Sequence, residues 1–184
     1  MGVREQILTA AERAFAARGY AGTQVGEIAG ELGLTKAAIY HYFESKRALL
    51  TTLLDESLAA AQHALTMEAP LASRLHAYAD VYRDQLEPLT AVATAQSTRR
   101  GGDLEAGRIA GRYMQRSVAL LEEALREHVG NERAGLLAPL FSTIVHGAHM
   151  MAQHHPGVQR EALVDEGVRV FVRGIGGPWE AEAR

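Results

Sequence analysis

Apolar positions in this chain recur every three or four residues almost throughout, and no stretch sustains the strict alternation of a half-buried strand. Ile7, Leu8, Ala11, Ala14 and Phe15 share one face of a helix from about Arg4 to Arg18, and Gly19 follows as a left-handed stop. A short second helix is predicted after Thr23, with Val25, Ile28, Ala29 and Leu32 inward and Gly33 at its end. Thr35 is the natural N-cap of a third short helix through Phe43. Ser45 caps a longer one striped by Leu49, Leu50, Leu53, Leu54, Leu58, Ala61 and Leu65. The pieces then lengthen. Leu71, Leu75, Tyr78, Tyr82 and Leu86 line one face before Pro88, a short helix is expected across residues 89–98, and RRGGD (99–103) reads as a loop. Asp103 is placed as the cap of a long helix to about Val129, closed by Gly130. Asn131 is placed as the cap of the next, which runs to His155 with a kink or late start at Pro139. A last helix is expected from about Val158 to Arg173. The pattern predicts an all-α chain of about nine helices, three short ones followed by a connecting helix and longer ones.

A length of 184 residues allows one domain or two small ones, and 47% hydrophobic with 22% charged residues is ordinary for a globular chain. Cysteine is absent, which excludes a disulfide framework, a cysteine-ligated metal and a cysteine nucleophile, and fits a reducing compartment. The stretch MGVREQILTAAERAFAARG breaks its apolar residues with Arg and Glu, unlike a signal peptide or a spanning helix. No uninterrupted apolar run approaches the roughly 18 residues of a membrane span, so a cytoplasmic protein without a membrane partner is expected. The net charge of −3 argues at first against nucleic acid. Its distribution softens the objection, because residues 1–50 carry six Lys/Arg against five acids and the remainder thirteen against seventeen. A small basic surface suffices for binding DNA, whatever the whole-chain sum.

The segment GLTKAAIYHYFESK (33–46) holds the only two lysines of the sequence, Lys36 and Lys46, together with Tyr40, His41 and Tyr42. On a helical wheel Ile39 and Phe43 face inward, Ala37 and His41 face outward, and Lys36 with Tyr40 and Ala38 with Tyr42 flank that outward arc. Small residues at the tip with phenol and ammonium groups along the margins suit a helix lying in a major groove, tip toward base edges and margins toward phosphates. Lys46 falls in the first turn of the next helix, where free backbone N–H groups also favour an anion. The preceding VGEIAGELGLT has the small residue, turn glycine and apolar plug (Ala29, Gly33, Leu34) of a helix-turn-helix. Taken singly, Tyr40 reads equally as a core tyrosine and Lys46 as an ordinary surface lysine; their combination at this spacing carries the assignment.

Residues 19–50, GYAGTQVGEIAGELGLTKAAIYHYFESKRALL, resemble the DNA-binding signature of TetR/AcrR-type transcriptional regulators. The likeness rests on Gly19-Tyr20, Thr23, Val25, Ile28-Ala29, Gly33-Leu34-Thr35, Ile39-Tyr40, Tyr42-Phe43, Ser45-Lys46 and Leu49-Leu50. It implies base reading by Lys36, Ala37 and His41 and phosphate contacts from Thr23, Thr35, Tyr40, Tyr42 and Lys46. There are two departures. Gln24 stands where many members have Ser or Thr, which leaves Thr23 as the cap of the second helix, and Ala37 stands where Gly is common. The resemblance further implies a DNA-binding domain over 1–47 and a larger effector-binding and dimerisation domain over 48–184. Such a protein works as a homodimer on an inverted-repeat double-stranded operator and is released by a small molecule.

For dimerisation the matching helices offer Phe141, Val145, Ala148, Leu163, Val168, Phe171 and Val172, with Gly147 and Ala148 permitting close approach. The bland reading of these stripes is plain monomer core. A mainly apolar effector would meet Tyr78, Tyr82, Tyr113, Met114, Phe141, Met150 and Met151, with Arg83, Arg108 and Arg112 available to an acidic group. The histidine-rich HGAHMMAQHHPG suggests an alternative, a metal-responsive regulator built on His146 and His149. No Asp or Glu lies between Glu132 and Glu161 to complete a ligand set, so no metal or other cofactor is expected. A phosphate-binding glycine loop, a GxSxG elbow and an HExxH pair are all missing, which points away from an enzyme. A further alternative is an interaction module with a degenerate helix-turn-helix, whose sign would be loss of the phosphate-facing residues.

Overall fold

The computed structural model describes residues 2–86, 88–89, 104–155 and 157–176, and among these every regular element is helical. The α-helices are α1 (Val3–Gly22), α2 (Val25–Glu31), α3 (Lys36–Tyr42), α4 (Lys46–Thr66), α5 (Leu71–Val81), α6 (Leu104–Val129), α7 (Asn131–His154) and α8 (Arg160–Gly176). A π-helical turn, Tyr82–Leu86, follows α5 directly. The expected all-α fold is therefore observed. The short helix expected at 89–98, the RRGGD loop and the Asp103 cap lie outside the described residues, Leu89 excepted.

The chain forms two compact units, residues 1–59 with 84–116 and residues 60–83 with 117–184. In the first, Ile7, Ile28, Ile39, Leu49 and Leu54 have no exposed surface, and Phe15 and Ala29 almost none. Fully burying one such aliphatic side chain contributes about 1.5–3 kcal/mol, which explains why seven-residue helices as short as α2 and α3 persist there. The second unit is built around α5, α7 and α8, with α8 packed on both others. Tyr78, Phe141 and Phe171 form its aromatic spine, with ring centroids 6.4 Å apart across α5 and α7 and 4.8 Å across α7 and α8. The Tyr78 hydroxyl, deep in this core, shares a 2.5 Å hydrogen bond with Ser117 Oγ of α6, and burial pushes its pKa up to about 12.

Several local expectations need revision. Gly19 does adopt the left-handed backbone (φ 76°), but helix resumes after it, so α1 runs to Gly22 across a kink. Thr23 does not cap α2. That position is Gln24, which makes no side-chain cap, while the Thr23 hydroxyl donates to the carbonyls of Ala14 (3.0 Å) and Gly19 (2.7 Å). Gly130, at φ 77°, is the N-cap of α7, and Asn131 is its first helical residue. Pro139 lies within an unbroken α7, and α8 begins at Arg160. The predicted caps Thr35 and Ser45 are in place, accepting from the backbone N–H groups of Ala38 (3.1 Å) and Ala48 (3.0 Å). One stretch of α7, Asn131–Ala152, is long and apolar enough to cross a membrane by length and composition, with a mean hydropathy of 1.2. The same helix supplies Phe141 and Val145 to the core of the second unit.

Candidate nucleic-acid interface

The corner between α2 and α3 is set by one glycine. Gly33 has φ +66°, a conformation that side chains resist, and the turn closes with Leu34 N–H donating to Ala29 C=O at 2.8 Å. Helix α3 then starts at the Thr35 cap and presents two unlike faces. Ile39 is completely buried and Phe43, which follows the last turn, nearly so. Thr35, Lys36, Ala37, Tyr40, His41 and Tyr42 are all exposed, Tyr40 at 42% and Tyr42 at 45%. Two tyrosines that open to solvent on a seven-residue helix have not been recruited to the core, and their hydroxyls stand ready for an external partner. The Lys36 ammonium sits 5.7 Å from the Tyr40 ring, and the His41 and Tyr42 rings meet edge to face at 5.5 Å. These contacts order the outward surface without using the polar tips of the tyrosines.

Two residues expected on this surface are turned inward. Thr23 is only 1% exposed, and both contacts of its hydroxyl hold the end of α1. Its side chain is a structural tie, too deep to reach a phosphate. Lys46 is half-buried, and its ammonium donates to the carbonyls of Tyr20 (2.7 Å) and Thr23 (3.1 Å) while lying 4.3 Å from the Tyr20 ring. It fastens the start of α4 to the corner between α1 and α2. Sequence spacing put Lys46 beside a helix N-terminus correctly, but could not tell that two carbonyls lie within its reach. Around the same head, Arg13 pairs with Glu31 at 2.5 Å and Arg18 with Glu27 at 3.4 Å.

Of the residues expected around an effector, Tyr78, Tyr82 and Phe141 come together in the core of the second unit, and the others do not join them around one cavity. Tyr113 belongs to the first unit, where its hydroxyl donates to Asp55 Oδ1 at 2.8 Å; burial first, then that carboxylate, raises its pKa to about 12. Tyr78 and Phe141 are plain core, Met114 is half-buried, and Met150 and Met151 are exposed. Tyr82 alone of the seven lines a partly open cavity of about 300 Å³ in the second unit, which lies among α5, α7 and α8. Its other walls are His76, Ala79, Asp80, Arg83, Val145, His149, Arg160, Glu161, Val164 and Asp165. Apart from Arg83, Val145 and His149, and Val164 on the apolar stripe of the last helix, which entered the sequence reading in one role or another, these wall residues were missed. The signal that could have found them is the helical spacing of His76, Ala79 and Arg83 against that of Arg160, Val164 and Asp165.

The expected interface residues are largely covered within the protomer. Phe141, Val145, Ala148, Val168 and Phe171 are buried and Val172 half-buried, leaving Leu163 exposed. The exposed apolar positions of α7 and α8 are instead Leu136 (71%), Leu140 (50%), Met150, Met151, Leu163 and Val170. Within the protomer a close helix approach occurs at Gly167, where a Cβ would stand 2.7 Å from Ile144 Cγ2; at Gly147, expected to admit a second copy, nothing of the same protomer lies within 4 Å. His146 shares a 3.3 Å contact with the Tyr82 hydroxyl, whereas His149 lies in the cavity wall, and no group of three metal-ligating side chains forms among the described residues.

Geometry thus defines a helix-turn-helix head on a chain whose regular elements, among the described residues, are all helical. Residues 7–53 match the family described as bacterial regulatory proteins, tetR family. The HTH-type transcriptional regulator TtgR of Pseudomonas putida is 50% identical over 52 residues, which are 28% of this chain and 25% of TtgR. The uncharacterized HTH-type regulator YerO of Bacillus subtilis is 42% identical over 52 residues, 28% of this chain and 18% of YerO. The match therefore spans a quarter or less of the length of these relatives. Across nearly the whole chain the fold is that of a transcriptional regulator (TerR/AcrR family) from Aquifex aeolicus, with a TM-score of 0.73, 20% identity, and coverage of 95% of this chain and 99% of that one. Bacillus subtilis FadR in complex with stearoyl-CoA has a TM-score of 0.65 at 18% identity, covering 92% and 98%. The resemblance to TetR/AcrR-type helix-turn-helix regulators is borne out, by sequence in the head and by fold in the remainder.

Proposed function

We propose that this chain is a ligand-responsive transcriptional regulator, a repressor that binds an inverted-repeat DNA operator as a homodimer and is released by a small, mainly apolar effector. The observation that carries the reading is the outward face of α3. Thr35, Lys36, Ala37, Tyr40, His41 and Tyr42 are exposed together on a helix whose opposite side is anchored by Ile39 and Phe43. Lys36, Ala37 and His41 meet base edges, while Thr35, Tyr40 and Tyr42 hold phosphates on the groove walls. On this reading residues 1–47 read DNA and residues 48–184 bind effector and pair the protomers, with the protein acting in the cytoplasm and without catalysis. Leu136, Leu140, Leu163 and Val170, with Met150 and Met151, are large apolar side chains of α7 and α8 left open for a second copy. Effector binding favours a dimer whose two recognition helices no longer match successive major grooves.

The test is repeated selection of random-sequence duplexes on the purified protein. The expected motif is an inverted repeat whose half-site centres lie about one helical turn, 34–36 Å, or a multiple apart. Absence of any enriched motif, even at low salt, would remove the DNA reading.

A further inference from the structure

Resting on the DNA reading, we propose that the tip of α3 selects a guanine through Lys36 and a thymine through Ala37 in neighbouring base pairs of each half-site. The other side-chain cations of the head have partners within the protomer. Arg4 is paired with Glu56 at 3.5 Å, Arg13 with Glu31 at 2.5 Å, Arg18 with Glu27 at 3.4 Å and Arg47 with Glu105 at 2.6 Å. The Lys46 ammonium is held by two carbonyls. Lys36 differs from all of them. It is exposed, and among the described residues its ammonium meets only the Tyr40 ring, at 5.7 Å, which leaves its N–H groups without an acceptor. The uncommitted cation of the described head is thus the first residue of α3, and recognition helices read base edges from their N-terminal residues.

The chemistry of that tip narrows what it can read. Between Thr35 and Tyr42 there is no Asp, Glu, Asn or Gln. Helix α3 therefore lacks the carboxylate that accepts from cytosine N4 and the amide that pairs with adenine N6 and N7. Gln24 and Glu44 are exposed and carry such groups, but they stand at the start of α2 and beyond the end of α3. The Thr35 oxygen is occupied as the helix cap, accepting from Ala38 N–H. Lys36 carries donors alone, and guanine is the base that sets two major-groove acceptors, N7 and O6, side by side. Ala37 adds an open methyl next to it, whereas Ala38 is half-buried and Ile39 fully buried. The apolar counterpart of a methyl in the major groove is the C5-methyl of thymine. His41 donates or accepts according to its tautomer, so it selects neither base. Consecutive helical residues rise about 1.5 Å, less than the roughly 3.4 Å between bases, which keeps the two contacts in neighbouring pairs.

The experiment takes the half-site that the full chain enriches from random duplexes and remakes it with two base analogues. Each guanine is replaced in turn by 7-deazaguanine, which lacks the N7 acceptor, and each thymine by deoxyuridine, which lacks the methyl. One 7-deazaguanine should weaken binding about 3- to 30-fold, and one deoxyuridine in a neighbouring pair about 2- to 5-fold. Lys36→Met should erase the first loss and keep the second, while Ala37→Gly should do the reverse; unaltered thermal unfolding shows that each variant is folded. The analogue series on the unaltered protein stands even where a variant does not fold. A half-site without a guanine and a thymine in neighbouring pairs, or analogues without effect, overturns the inference and leaves the DNA reading intact. Equal weakening of all duplexes by Lys36→Met, with a shallower salt dependence, makes Lys36 a phosphate contact and overturns the guanine assignment. Failure to enrich any motif removes the DNA reading, and this inference falls with it.

Discussion

Tyr40 and Lys46 are six residues apart in sequence, and altering them should have separable consequences. Tyr40 is exposed on the outward face of α3, so Tyr40→Phe should weaken operator and non-specific DNA alike, by about 2- to 10-fold, with no change in unfolding temperature. Lys46 behaves oppositely. Its ammonium holds two carbonyls at the α1–α2 corner, so Lys46→Met should lower stability by about 1–2 kcal/mol while DNA affinity of the folded protein moves less than about threefold. Urea unfolding beside fluorescence-anisotropy titration separates the two. A large affinity loss without destabilisation would return Lys46 to the phosphates. Thr23 belongs with Lys46. These two looked like surface residues in the sequence because a hydroxyl and an ammonium suit water and phosphate equally well. Only the path of the chain around Gly19 brings carbonyls to them.

At the scale of elements, the head was legible and the cavity was not. Inward positions of the first four helices follow from three- and four-residue spacing, and the α2–α3 turn from a single glycine in a left-handed conformation. Gly33→Ala should therefore cost about 1–2 kcal/mol by backbone strain alone, since nothing crowds the added methyl. Gly167→Ala tests a different physics. Its methyl would meet Ile144 at 2.7 Å, so a loss of about 1–3 kcal/mol is expected, relieved in part by Ile144→Val or Ile144→Ala, which a double-mutant cycle would detect. The cavity escaped prediction because its walls come from half-polar faces of helices some eighty residues apart, whereas attention to the largest aromatic and thioether side chains picks out core. Tyr78 and Phe141 show the bias. Large apolar residues fill space before they line it.

For the whole molecule, two predictions concern assembly and pH. Leu136 and Leu140 are far more exposed than the stripe that backs them, so Leu136→Glu with Leu140→Glu should shift a dimer to monomers in sedimentation experiments without loss of helicity. Tyr78 and Tyr113 both have pKa values raised to about 12 in the folded chain, against about 10 when unfolded. The folded state then holds more protons than the unfolded one between those values. Stability is fully present below about pH 10 and should fall as pH rises toward 12, with a shallower decline in Tyr78→Phe. Denaturant unfolding at a series of alkaline pH values measures it. Finally, the two lysines are not chemically equivalent. With the Lys46 amine held by carbonyls and an aromatic ring, an acylating reagent meets one readily accessible lysine, Lys36, on the outward face of α3. Among the lysines, acylation is thereby concentrated on the recognition surface, and the rate at Lys36, read by peptide mapping apart from the N-terminal amine, becomes a direct footprint of whatever covers the helix.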